Sequence, residues 1–232
     1  MKKKILAMIP ARIGSQRLKF KNLVLINNKP LIQYVIEASK KARVFDEIYI
    51  NSDSSIFKKI AKKNKIKFYK RPKKLGSSNT RSDDVVYDFI NNFNCDIIVW
   101  VNPIAPLQTP EEIRKVIKFF KRKKLNSLIT TNKQKNHAIF NNNPLNFKKN
   151  SRFAKTQDLK PVELMVYSIM MWKSESYLKN YKKNKSAILH GKVGFYPVDK
   201  FSGIIVKDKT DLEIISTIIR SSKYKKKIKY YK

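Results

Sequence analysis

Ile9-Pro10-Ala11-Arg12-Ile13-Gly14-Ser15-Gln16-Arg17-Leu18-Lys19-Phe20-Lys21-Asn22 lies between two apolar runs, Ile5–Ile9 and Leu23–Ile26. A buried strand that empties into a Gly/Ser turn carrying spaced cations has the makings of a phosphate cradle. Gly14 permits close backbone approach, and main-chain N–H groups in such a turn can point at phosphate oxygens. Arg12 offers a planar fork and Lys21 a mobile point charge, two different ways of holding phosphate. The same spacing also fits a strand followed by a basic surface loop, because short glycine motifs recur by chance.

Outward from this stretch the chain alternates. Strands are predicted at Lys4–Ile9, Glu47–Asn51, Lys67–Lys70, Asp96–Val101 and Ser127–Thr131, and helices at Pro30–Arg43, Ser54–Asn64, Ser82–Asn92 and Pro110–Lys123. The first helix carries Leu31, Tyr34, Val35 and Ala38 on one face. Ser54 and Thr109 are expected to cap the helices that follow them, with Pro110 at the first helical position. This alternation implies right-handed crossovers and an α/β fold with a mostly parallel sheet flanked by helices. Ligands of such sheets sit beyond the carboxyl ends of the strands, near a switch in strand order. The Arg12 loop, Asp53, Arg71 and Asn102 all follow predicted strands, so one crevice can gather them. Asp53 reads equally as a cap for the next helix.

From Asn132 to about Leu164 the pattern stops: Asn, Lys and Phe predominate with little periodicity. A long excursion of this kind is usually functional or part of an interface. Further strands are expected at Leu164–Trp172, Lys192–Val198 and Gly203–Val206. A last helix fits Thr210–Arg220 with Leu212, Ile215 and Ile219 inward, and residues 223–232 read as a basic, solvated tail.

Composition narrows the function. The 232 residues suffice for one domain with a proper core, and no repeat or linker divides them. No run of about 18 apolar residues suggests a membrane span. Met1-Lys2-Lys3-Lys4 before Ile5–Ile9 superficially resembles a signal peptide, but Pro10 and Arg12 end the apolar part too early. The single Cys95 excludes an intrachain disulfide and fits a reducing cytoplasm; beside Ile97–Val101 it reads as buried filler and not as a nucleophile. His137 and His190 are isolated, without the spacing of zinc ligands. A formal net charge of +35 raises the question of nucleic acid. The cations are scattered, however, Lys greatly exceeds Arg, and no helix-turn-helix, zinc-finger or RNP-type motif accompanies them. No specific nucleic-acid partner is expected.

The opening segment resembles the N-terminal signature of the CMP-sugar synthetases, the N-acylneuraminate cytidylyltransferases and their relatives, which read roughly I-P-A-R-x-G-S-x-x-x-x-x-K-N. Further motifs follow in the family's order. Asn51-Ser52-Asp53 is similar to S-T-D, Arg71-Pro72-Lys73-Lys74-Leu75 to R-P-x-x-L, and Ser82-Asp83-Asp84-Val85-Val86 to S-x-D-V-V. Asn102-Pro103-Ile104-Ala105-Pro106-Leu107-Gln108 resembles Q-P-T-S-P-L-R. The likeness is good over roughly residues 1–120 and loose beyond.

The resemblance implies a nucleotidyltransferase-type, Rossmann-like fold and a specific reaction. The anomeric hydroxyl of a 2-keto sugar acid, of the sialic or nonulosonic class, attacks the α-phosphorus of CTP and expels pyrophosphate. Such a transfer needs positioning and charge neutralisation more than covalent help. The family's roles then fall on Arg12 and Lys21 for the triphosphate, with backbone donors from Ala11, Gly14 and Ser15. Asn22, Arg71 and Ser82 would read the base and its surroundings, and Asn102 and Gln157 would face the sugar acid. Magnesium is the implied cofactor. A homodimer is implied as well, joined through an arm formed by residues 132–164 that closes over the partner's sugar site.

The departures from the pattern fall on the sugar side and on the metal. Asn102 replaces Gln, and Gln108 replaces Arg. Thr156-Gln157-Asp158-Leu159 echoes R-Q-x-L-P without its arginine, and apolar Leu164-Met165-Val166-Tyr167 stands where Asn-Gly is expected. The family holds magnesium with two aspartates in D-I-D-T-x-x-D-L. Aligning Asp211-Leu212 with the closing D-L puts Ile205 and Lys207 at those two places. Isoleucine cannot ligate a hard cation. A register shift would return Asp208 as a single ligand, although Asp208 reads better as a helix cap. Two alternatives to the synthetase reading follow. One is a catalytically decayed nucleotide or polyanion binder; the other is a nucleotidyltransferase with a different NTP or acceptor.

Overall fold

The computed structural model describes residues 3–149 and 151–221. Seven strands form one sheet: β1 (Ile5–Pro10), β2 (Glu47–Ser52), β3 (Lys67–Lys70), β4 (Ile97–Val101), β5 (Ser127–Gln134), β6 (Val162–Lys173) and β7 (Val193–Pro197). Their spatial order is β7-β5-β6-β4-β1-β2-β3. All neighbours pair in parallel except β6, which runs antiparallel to both β4 and β5. The chain moves outward from β1 through β2 to β3, then returns to place β4 on the other side of β1. The carboxyl ends of β1 and β4 therefore flank the switch point.

Among the described residues the α-helices are α1 (Leu31–Ala42), α2 (Ile56–Asn64), α3 (Ser82–Asn92), α4 (Pro110–Arg122), α5 (Ser174–Asn184) and α6 (Lys209–Ser221). Alternate residues of the central strands feed two cores. Ile5, Ala7 and Ile9 pack with α1, α2 and α4 through Ile32, Ile36, Phe57, Ile113 and Phe120. Leu6, Met8 and Ile98 pack with α3 and α5 through Val86, Phe89 and Tyr177. Each fully buried Leu, Ile, Met or Phe among them contributes about 1.5–3 kcal/mol, so both faces of β1 anchor the sheet. A third, smaller cluster joins Ile26, Leu31, Val206 and Ile215, docking α6 beside the start of α1. Among the described residues no helix is long and apolar enough to cross a membrane.

Several expectations need correction. Gly203–Val206 is not a strand: Val206 donates its N–H to Ile104 O and is buried in the third cluster without joining a ladder. Ser54 does not cap α2, which begins at Ile56; the Ser54 N–H donates instead to Ser52 Oγ. Thr109 does cap α4, accepting from the Glu112 N–H at 3.1 Å. Helix α5 was not foreseen, because Ser-Glu-Ser-Tyr-Leu-Lys-Asn-Tyr-Lys-Lys-Asn offers only Tyr177 and Tyr181 as large buried groups. The excursion is shorter than expected, since β5 runs on to Gln134 and β6 starts at Val162. Between them lie a small ribbon, Ile139–Phe140 with Asn143–Pro144, and a turn at Thr156–Asp158. Residues 223–232 lie outside the described part of the chain.

Candidate active site

A cleft of about 280 Å³ opens at the switch point. Arg12, Ser15, Lys21, Asn22, Arg71, Ser82 and Asn102 all line it, so seven residues singled out by sequence converge from the ends of β1, β3 and β4 and the start of α3.

The cradle loop is tied down by its own cations. Arg12 Nη1 donates to Ser77 O at 3.3 Å. Lys21 Nζ donates to Val206 O at 3.1 Å and to Lys207 O at 3.3 Å, joining the loop to the segment before α6. Burial, followed by repulsion from Arg17 and Arg12, lowers the Lys21 pKa; Asp211 and Asp208 pull the other way. A cation held in that state is stabilised by an incoming anion. Asn22, largely buried, donates from Nδ2 to Arg12 O at 3.3 Å, and its Oδ1 has no partner among the described residues.

The backbone donors depart from expectation. The Ala11 N–H is spent on Asn51 O, and the Ser15 N–H on Ile13 O. Of the three expected donors, only that of Gly14 has no partner among the described residues. A Cβ on Gly14 would meet no atom within 4 Å, so the approach to its backbone is open.

Arg71 is only 4% exposed. Its Nη2 lies 3.8 Å from Asp53 Oδ1, and its Nε has no partner among the described residues. Asp53 Oδ1 also accepts the Ile13 N–H at 3.2 Å. Asp53 therefore caps no helix; it links the cradle loop to the buried guanidinium. Gly76 makes this possible, because a Cβ there would stand 2.5 Å from Asp53 Oδ2.

At the end of β4, Asn102 is anchored rather than free. Its N–H donates to Ser168 O at 2.9 Å and its Nδ2 to Tyr167 O at 3.2 Å. Tyr167 occupies the left-handed region at φ 55°, within a break in register between Met165 and Met170. The segment that replaces Asn-Gly in sequence is thus a β-bulge beside the cleft. Gln108, standing where the family has arginine, still pairs with an acid: Nε2 donates to Glu112 Oε2 at 2.7 Å. Gln157 does not join the cleft. It is exposed in the excursion, and its carbonyl accepts from Lys135 Nζ at 2.8 Å.

Asp208 and Asp211 cap α6 reciprocally. Asp208 Oδ1 accepts the Asp211 N–H, while Asp211 Oδ2 accepts those of Lys207 and Asp208. Among the described residues, no three His, Cys, Asp or Glu side chains cluster as a metal site. With Ile205 and Lys207 bearing no oxygen donors in their side chains, the residues present do not fit a protein-held magnesium ion. Cys95 is buried against Ser174 Oγ, and burial raises its thiol pKa, the opposite of an activated nucleophile.

The cleft also has lining that sequence reasoning missed: Leu75, Ser77, Ser78, Thr80, Val85, Trp100 and Ile104. The polar run after Leu75 was a visible signal for the hydroxyl-bearing wall. Trp100 gave none, hidden in an apolar strand.

The chain is similar to known proteins in sequence and in fold. The chain is 27% identical over 228 residues to post-translational flagellin modification protein B of Campylobacter coli, covering 93% of this chain and 95% of that protein. It is 26% identical over 238 residues to an N-acylneuraminate cytidylyltransferase of Escherichia coli, of which it spans 55%, about half the length. Among solved structures, a CMP-2-keto-3-deoxy-manno-octonic acid synthetase complexed with CTP is similar at a TM-score of 0.71 and 16% identity. That match covers 94% of this chain and 99% of the other. The 4-diphosphocytidyl-2C-methyl-D-erythritol synthase of Anaerococcus prevotii gives 0.68 at 14% identity, with the same coverage. These two likenesses speak for the fold, of nucleotidyltransferase type. The sequence profile of the cytidylyltransferases matches residues 6–207, and the chain belongs to that family.

Proposed function

We propose that this chain transfers a cytidylyl group from CTP to a hydroxyl of a 2-keto sugar acid. The observation that carries the reading is the convergence of Arg12, Lys21, Asn22, Arg71 and Ser82 on one cleft at the switch point. The hydroxyl oxygen attacks the α-phosphorus and loses its proton to solvent; the bond to the bridging oxygen breaks, and pyrophosphate leaves. Arg12 and Lys21 neutralise charge that grows on the leaving group, fixed by hydrogen bonds to carbonyls before substrate arrives. Arg71, held by Asp53, and Asn22 present polar groups to the nucleoside, and an unmatched buried polar group discriminates strongly. The described residues offer no metal-holding cluster of acids, so no step runs through a protein-held magnesium ion.

Pyrophosphate release, measured for each NTP against a panel of 2-keto sugar acids, tests the reading. Release that requires both CTP and one acid is expected. CTP binding without turnover on any acid would favour a nucleotide-binding protein, the reading suggested by Ile205 and Lys207. We also propose that a second copy of the chain is the protein partner. Ile139, Phe140, Leu145 and Phe153 are each more than half exposed on the excursion, apolar surface that a lone chain leaves in water. Sedimentation equilibrium should show a dimer that Phe140→Ser weakens; a monomer at all concentrations refutes this.

A further inference from the structure

The chain has two tryptophans, and they are held differently. Trp172 is fully buried, and its indole N–H donates to Ile188 O at 2.8 Å. Trp100 is partly buried on β4, packs against the α3–α5 core and lines the cleft. Its indole N–H is buried with no partner among the described residues. Position alone does not ask for tryptophan here: Ile98, two residues earlier on the same face, is aliphatic and fully buried. An unsatisfied N–H is costly, and leucine or valine would serve the strand without that cost.

The cleft is chemically divided. Arg12, Lys21 and Arg71 supply its charge, whereas Trp100, Val85 and Leu75 belong to one apolar cluster and form an apolar wall. A nucleoside triphosphate has the same division, with a flat base at one end and an anionic tail at the other. An indole is a fused two-ring system about as large as a purine. Shortening it to leucine would vacate roughly one ring's width, the difference between a pyrimidine and a purine.

We propose that Trp100 is a specificity-determining residue: its indole sets the depth of the apolar end of the cleft, admitting a single-ring base and excluding a purine. This rests on the reading of the cleft as a nucleoside triphosphate site. Two measurements test it, both without turnover. In the first, CTP is titrated into wild type and Trp100→Phe while tryptophan emission and calorimetric heat are followed. Wild-type emission should change saturably with the calorimetric Kd, and the change should vanish in Trp100→Phe, whose remaining indole is the buried Trp172. In the second, the CTP to ATP affinity ratio should fall at least tenfold in Trp100→Leu, and by less in Trp100→Phe, which keeps an aromatic ring and safeguards the test should the leucine variant not fold. Calorimetric CTP binding with unchanged emission and an unchanged ratio overturns the role of Trp100 and leaves the site reading intact. Absence of heat with every nucleotide overturns both.

Discussion

Asp53→Asn should unfold this protein's cleft from the inside. Asp53 Oδ1 stands 3.8 Å from Arg71 Nη2, and the side chains are 13% and 4% exposed. At an effective dielectric of about 20, two unit charges at that distance attract by about 4 kcal/mol. Asparagine keeps the size and an oxygen for the Ile13 N–H, so packing and that hydrogen bond survive while the charge is lost. Leaving a buried guanidinium without its counter-charge typically costs 3–5 kcal/mol; because Asp53 still meets some water, about 3 kcal/mol is expected. With a urea m-value near 3 kcal/mol/M, the unfolding midpoint should fall by about 1 M with m unchanged. The double variant Asp53→Asn, Arg71→Met removes both charges and should recover at least about 1 kcal/mol relative to the sum of the single variants. A midpoint shift under about 0.2 M, or strict additivity in the double variant, would refute the coupling of the cradle loop to Arg71 through Asp53.

The Lys21 pKa is lowered below 10.5 in the folded chain, so between the two values the unfolded state binds more protons and stability rises with pH. The stability of wild type relative to Lys21→Met should accordingly increase as pH climbs towards 10.5, in urea titrations at stepped pH; a flat difference counts against the depressed lysine. Tyr167→Asn should stabilise the chain by about 0.5–1 kcal/mol, since a non-glycine residue at φ 55° pays for the left-handed backbone and asparagine tolerates it better. Calorimetry should show a Tm raised by a few degrees, and a lowered Tm refutes the strain. In a magnesium titration of turnover at fixed CTP, Ile205→Asp, Lys207→Asp should saturate at lower metal than wild type, whereas Asp208→Ala should leave the metal dependence alone and cost about 1 kcal/mol of stability through the lost cap. Loss of metal dependence in Asp208→Ala would instead make Asp208 a ligand.

Sequence reached the site more easily than it reached the fold's edges. β1 and its cradle loop were legible because an apolar run, a glycine turn and spaced cations are local signals. The α4 start was legible because Thr109-Pro110 is capping chemistry that depends on no distant partner. Gly203–Val206 misled because four apolar or small residues look like a strand, yet Val206 is buried against Ile26 and Leu31, remote in sequence, and against Ile215 on the following helix. Asp53 stayed ambiguous for the same reason: its partners are Ile13, 40 residues earlier, and a guanidinium on the far side of β3. Trp100 was invisible, since period-two alternation assigns it to the core and only the packed cleft shows that part of the ring is not covered.

A chain with a net charge of +35 has cations everywhere, so what separates the working ones is the acceptor each is tied to. A few surface lysines away from the cleft meet carboxylates: Lys29 pairs with Glu37, and Lys67 with Glu47. Inside the cleft, Arg12 and Lys21 are positioned by neutral carbonyls of Ser77, Val206 and Lys207, which fix geometry and leave the charge uncancelled. Of the carboxylates near them, Asp53 goes to Arg71, the most buried of the three cations, while Asp208 and Asp211 accept backbone N–H groups at the start of α6. Pre-positioned positive charge is what a triphosphate would neutralise, and burial, followed by repulsion from Arg17 and Arg12, lowers the Lys21 pKa in a way an incoming anion would offset. Replacing metal-holding aspartates by Ile205 and Lys207 moves the balance the same way: it removes negative charge from the margin of the site and adds a cation. On the proposed reading of the cleft, these electrostatics would favour direct contact between protein cations and phosphate.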